Sequence, residues 1–123
     1  MKGIEFSCRI DPPNALSVGS PSVAGELEKV FEELVSNVLK HSGAKVVELE
    51  VTEREKSIQF RFSDNGKGIE RRNASKQGRG LENIRFRIQS LGGRLCLATG
   101  EGEGTQFTFE VPKDVLRPKE EIS

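Results

Sequence analysis

The sequence predicts an α/β protein, a two-layer sandwich in which a mixed, mostly antiparallel sheet is covered on one face by helices. Three observations predict it. Segments that alternate apolar and polar residues come in pairs between single helical stripes, in the order β-α-β-β-loop-α-β-β. Each helical stripe is apolar on one side only. The chain, at 123 residues, has the length of one domain. Paired strands disfavour a parallel, doubly wound sheet.

Alternation of Ile4, Phe6, Cys8 and Ile10 predicts a first strand with one buried face, and DPPNALSVGS after it predicts a loop. A helix follows: Ser20 suits its cap, Pro21 its first turn, and Val23, Leu27, Val30, Phe31, Leu34 and Val38 recur at helical spacing, with Gly43 placed to close it. KVVELEV and SIQFRFS alternate with period two around the charged TEREK and predict an antiparallel hairpin. Residues 69–79 carry much charge and no periodicity, which predicts a mobile surface loop. Leu81, Ile84, Ile88 and Leu91 restore a helical stripe that Gly92-Gly93 ends, and GRLCLAT and TQFTFEV supply two last strands. The segment PKDVLRPKEEIS, with two prolines and mixed charge, predicts a flexible tail, so the domain is assigned to 1–112 and the tail to 113–123.

Hydrophobic residues make up 34% and charged residues 31%, with a mean hydropathy of −0.48, as in soluble globular proteins. No apolar run approaches the ~20 residues that span a bilayer, and MKGIEFSCRI lacks the apolar centre of a signal peptide, so a cytoplasmic domain without membrane contact is expected. Cys8 and Cys96 have neither CxxC nor Cys/His spacing, which argues against a disulfide framework or zinc site and predicts that both pack as small apolar residues. Basic and acidic residues balance at 19 each, which gives no reason to expect nucleic-acid binding. Between Lys67 and Arg87, however, seven basic residues face two acidic ones, a segment suited to an anion.

Four stretches carry candidate chemistry. Glu33 and Asn37 are four apart on one side of the first helix, with Lys40 one turn on. A carboxylate and an amide oxygen so placed can handle a proton and a Mg²⁺ ion, but the spacing equally fits a solvated helix face. Asp64-Asn65-Gly66-Lys67-Gly68-Ile69 follows a strand, so the Asp64 carboxylate stands at a sheet end where it can accept from an amine such as that of adenine. Gly66 and Gly68 permit close backbone approach, although Asp-Asn-Gly is also ordinary turn chemistry. Gly78-Arg79-Gly80 is expected directly before the second helix, whose free N–H groups suit a phosphate; the usual GxxxxGK[ST] loop is absent. Gly102-Glu103-Gly104-Thr105 is either a hairpin turn or a turn that aims the Thr105 hydroxyl at a ligand.

In this order the stretches resemble the Bergerat-type (GHKL) ATPases, which include gyrase, mismatch-repair and heat-shock ATPases and histidine kinases, and most of all the histidine kinases. Glu33 to His41, ELVSNVLKH, looks like their asparagine box, DNGKGI their first glycine box and Gly78-Arg79-Gly80-Leu81 their second; ENIRFRIQSLGGRL and GEGTQFTFEVP are similar to their continuation. The likeness spans about residues 4 to 112. It implies the Bergerat ATP-binding fold and a catalytic domain that presents the γ-phosphate of Mg-ATP to a histidine on a separate dimerisation domain, upstream of a response regulator. By position it implies that Asn37 binds Mg²⁺, Asp64 recognises adenine, Glu33 is the general base, Lys40 contacts phosphate and His41 lines the adenine. It further implies that Gly66, Gly68, Ile69, Gly78, Arg79, Gly80 and Leu81 shape pocket and lid, and that Thr105 supports the adenine end. The lid is short and lacks a phenylalanine box, which points to the compact subfamily. His41, the single histidine, lies inside a nucleotide motif and is read as a pocket residue, not a phosphoacceptor, so little activity is expected of the domain alone. The rival readings are an anti-sigma-type serine kinase or a nucleotide-sensing module; gyrase-like hydrolysis would need a transducer domain.

Overall fold

The first helix, α1 (Pro21–Asn37), begins where its capping chemistry places it: the Ser20 side chain accepts from the Val23 N–H at 3.4 Å, and Pro21 stands where a missing N–H costs no hydrogen bond. Leu27, Val30 and Leu34 form its buried side. After Asn37 the backbone widens into a π-helical turn, Val38–Ser42, which Gly43 ends at φ +64°. The computed structural model describes residues 3–66, 74–99 and 104–117, with residues 41, 42 and 74–80 described by their backbone alone. The other elements are β1 (Glu5–Asp11), β2 (Val46–Glu53), β3 (Ser57–Asp64), α2 (Ala74–Ser90), β4 (Arg94–Thr99), β5 (Thr105–Pro112) and α3 (Lys113–Leu116).

The five strands form one sheet in the order β1-β2-β3-β5-β4. β1 and β2 run parallel, joined by the crossover that carries α1, and every other pair is antiparallel. The registers align side chains into rows across the sheet. Ile10, Val51, Phe60, Phe109 and Leu95 form one row; Cys8, Leu49, Phe62, Phe107 and Leu97 form the next. The third row is Phe6, Val47, Asp64, Thr105 and Thr99, where the apolar surface gives way to polar groups. Phe60 and Phe109 stack at 4.8 Å, and the Phe31 ring of α1 tilts over both at 5.9 and 6.2 Å. All of Phe60 is buried, so Phe60→Ala would cost about 3–5 kcal/mol.

The structure corrects four sequence expectations. β1 is an edge strand whose alternation does not bury it: Phe6 is 55% exposed, and only Ile4 and Ile10 reach the core. Alternation fixes the side to which a residue points, not whether a helix covers it. Cys8 and Cys96 are accordingly exposed, Cys8 on that edge and Cys96 on the face opposite its buried neighbour Leu95.

Helix α2 starts at Ala74, so Gly78-Arg79-Gly80 lie inside it. Two glycines cost about 1 kcal/mol each, and a helix anchored by buried Ile84 and Ile88 propagates through them. Finally, the chain after Pro112 is packed to Arg117. Leu116 is fully buried, its carbonyl accepts from the Gly19 N–H at 2.8 Å, and the Arg117 guanidinium donates to the carbonyls of Asn14, Ala15 and Ser17. Lys113 and Arg117 both pair with Glu53, and the Lys113 hydrogen bond chiefly holds that carboxyl below its usual range. An apolar Val115-Leu116 pair inside a charged segment was the signal for this docking.

Candidate nucleotide site

Asp64 is the last residue of β3, flanked in register by Val47 and Thr105. Its Oδ1 accepts the Gly66 N–H at 2.8 Å, closing the turn that Asp-Asn-Gly favours. Burial raises the Asp64 pKa, while the backbone N–H groups of Gly66 and Thr105 pull it down. Asp64 is one of the residues lining a cavity of about 330 Å³ at this sheet end, with Ser63, Ala98, Thr99, Gly104, Thr105 and Gln106. Thr105 is buried, and its Oγ1 lies 3.2 Å from that of Thr99.

Two residues to which the motif reading gave no role hold this end together. Asn65 Oδ1 accepts from the N–H groups of Lys45 and Val46 at 2.9 and 2.8 Å, and its own N–H donates to the Val46 carbonyl at 3.1 Å. It thereby ties the end of β3 to the start of β2. Gly104 has φ +81°, and a Cβ there would stand 2.2 Å from the Asp64 carbonyl oxygen. Only glycine lets the backbone at position 104 approach Asp64 so closely. The sequence signal for both was their adjacency to Asp64 and Thr105.

The remaining candidates reach this end through topology. The π-helical turn after Asn37 leads through Gly43 to Lys45 into β2, whose Val47 faces Asp64, so the C-terminal end of α1 lies at the Asp64 end. Glu33 and Asn37 are half-buried outside its buried stripe, and Lys40 is exposed. Helix α2 passes through Gly92-Gly93 into Arg94, which pairs with Glu110 near the far end of β5. A helix of 17 residues is about 25 Å long, close to the length of the strands, so its N-terminal end returns to the Asp64 end. Gly78 and Gly80 belong to that end by backbone position, whereas Leu81 packs against the core. Gly68 and Ile69 lie outside the described residues, as do the side chains of His41 and Arg79.

The sequence pattern of the family "Histidine kinase-, DNA gyrase B-, and HSP90-like ATPase" matches residues 22–115. The chain belongs to this family. Within it, the domain is 30% identical over 93 residues to "Sensor histidine kinase LiaS" of Bacillus subtilis, covering 76% of this chain and 26% of that protein. It is 30% identical over 90 residues to "Sensor protein VraS" of Staphylococcus saprophyticus, covering 73% and 26%. The chain thus spans about a quarter of the length of these relatives. Its fold matches the blue-light activated histidine kinase EL346 of Erythrobacter litoralis with a TM-score of 0.74 at 23% identity, covering 91% of this chain and 36% of that one. It matches the catalytic domain of histidine kinase ThkA with a TM-score of 0.72 at 22% identity, covering 90% and 79%. This is therefore a histidine kinase-type ATPase domain, and its mixed five-stranded sheet is that of the matched kinase structures. No helix among the described residues is long and apolar enough to cross a membrane.

Proposed function

We propose that the domain binds Mg-ATP at the Asp64 end of its sheet and presents the γ-phosphate to a histidine on a separate dimerisation domain, which then serves a response regulator in the cytoplasm. The observation that carries this reading is the pairing of the half-buried Asp64 with Thr105 at the sheet end where α1 finishes and α2 begins. The likeness to the sensor histidine kinase LiaS favours the same destination for the phosphate.

In this reading Asp64 accepts from the exocyclic amine of adenine and Thr105 supports that edge. Gly66 and Gly68 leave the backbone open to the flat base, with Ile69 and His41 beside it. Gly78, Arg79 and Gly80 belong to the phosphate end, with Leu81 packed on the core beneath it; the glycines stand in the second turn and keep the start of α2 approachable, where the free N–H groups ahead of them favour negative charge. Lys40 contributes a further cation. The neutral oxygen of Asn37 fits a Mg²⁺ ion held mainly by phosphate and water, and among the described residues no cluster of three His, Cys, Asp or Glu offers an alternative. When bound, Mg²⁺ supplies neutralisation of phosphate charge. Glu33, one turn before Asn37, takes the proton from the attacking imidazole, and the rest of catalysis is positioning.

Titration calorimetry tests the pocket: Mg-ADP binds the chain, and silence at millimolar nucleotide overturns the reading. For the catalytic role, Glu33→Gln retains Mg-ADP affinity and slows phosphoryl transfer to a supplied histidine-bearing domain; unchanged transfer removes Glu33 as the base.

A further inference from the structure

Thr99 ends β4 and stands beside Thr105 in the third row of the sheet. Its Oγ1 lies 3.1 Å from the Gly104 carbonyl oxygen and 3.2 Å from Thr105 Oγ1. A carbonyl only accepts, and a threonine hydroxyl has one proton to give. With the Thr99 proton directed to Gly104, the contact between the hydroxyls is donated by Thr105. Thr105 then offers its oxygen lone pairs, not its proton, to whatever enters the cavity it lines with Asp64.

We propose that Thr99 is a positioning residue that fixes the Thr105 hydroxyl as an acceptor, so that Asp64 and Thr105 together present an acceptor-only edge that selects a base bearing an amine over one bearing an oxo group. The inference rests on the nucleotide reading above and deepens it, assigning base selectivity to a residue outside the motif positions. An oxo base brings its own lone pairs against those of Asp64 and Thr105, leaving polar groups unpaired, which is where a binding site discriminates most. Valine at 99 keeps the shape but removes the acceptor, and the freed Thr105 proton can then turn to an oxo group.

The test compares Mg-ADP with Mg-IDP, which carries an oxo group in place of the adenine amine, by calorimetry on the 123-residue chain. Wild type prefers ADP. Thr99→Val narrows the ADP-to-IDP preference by about 3- to 10-fold, the size of one hydrogen bond, while Thr99→Ser restores it. Thr105→Val narrows it as well, and the double variant narrows it no further, since Thr99 acts through Thr105. If Thr99→Val weakens both nucleotides equally, or Thr99→Ser fails to keep the preference, Thr99 is structural and the inference falls while the pocket stands. If wild type binds neither nucleotide, the pocket reading falls with it. Should Thr99→Val not fold, the serine variant and the Thr105→Val comparison still decide.

Discussion

Asp64 and Thr105 face each other directly across the β3–β5 pairing, and Gly104, at φ +81°, lies against the Asp64 backbone. A carboxylate at the end of one strand and a buried hydroxyl at the start of another thus share one row of one sheet. The half-buried position of Asp64 makes its charge harder to form than in the unfolded chain, and the nucleotide reading makes that charge useful.

The pH dependence of Asp64 follows in both respects. Its raised pKa means that the protonated form favours folding below the unfolded value of 3.8, a contribution lost as pH rises through the folded value. Asp64→Asn therefore gains stability relative to wild type as pH rises from below 3.8 through the raised folded value, read from paired thermal melts. Mg-ADP affinity moves the opposite way. It weakens by roughly 10- to 100-fold in Asp64→Ala, and in wild type it falls on acidification with a midpoint above that of a surface aspartate. An acid limb that persists unchanged in Asp64→Asn would contradict the assignment.

Gly104→Ala places a Cβ 2.2 Å from the Asp64 carbonyl oxygen at a backbone conformation that disfavours any side chain. The conformation alone costs about 1–2 kcal/mol, and the clash adds to it by displacing the turn from Asp64. Chemical denaturation should register a loss at least that large, accompanied by weaker Mg-ADP binding. A variant as stable as wild type would mean that the turn relaxes freely.

Asn65→Ala removes an oxygen that serves two backbone donors, Lys45 and Val46. The expected loss is about 1–3 kcal/mol, with Mg-ADP affinity reduced because Asp64 loses its anchored neighbour. Asn65→Asp keeps the acceptor and should recover most of the stability. It also sets a second carboxylate beside Asp64, so the acid limb of nucleotide binding should move to higher pH.

Arg117→Ala frees three loop carbonyls and the Glu53 pairing at once. These groups are partly exposed, which limits the expected loss to about 1–2 kcal/mol. Hydrogen exchange should quicken in residues 12–19 and not in the β3–β5 pairing. Uniform quickening across the sheet would instead assign Arg117 to global stability.

Much of the architecture was legible because periodicity and capping act locally. Ser20 and Pro21 start α1 by chemistry contained within four residues, and the alternation in SIQFRFS marks Ile58, Phe60 and Phe62 as core before any partner is known. The motif residues were legible as types: an aspartate after a strand, glycines beside it, a carboxylate and an amide one helical turn apart. The edge position of β1 was not legible, since Ile4, Phe6, Cys8 and Ile10 carry the same signal whether or not a helix lies over them. Nor was the start of α2, where tertiary anchoring at Ile84 and Ile88 outweighs the local cost of Gly78 and Gly80.

The sequence by itself determined the order of the five strands and two long helices, the two-layer architecture and the family, because the elements follow from local patterns along each and the family from motifs that occur in a fixed order. Only the tertiary structure decided that Thr105 faces Asp64, that Asn65 ties β3 to β2, and that Thr99 stands within hydrogen-bond reach of Thr105. Those relationships depend on strand order and register, which arise when distant segments pack their apolar faces together, and no window of sequence contains both partners.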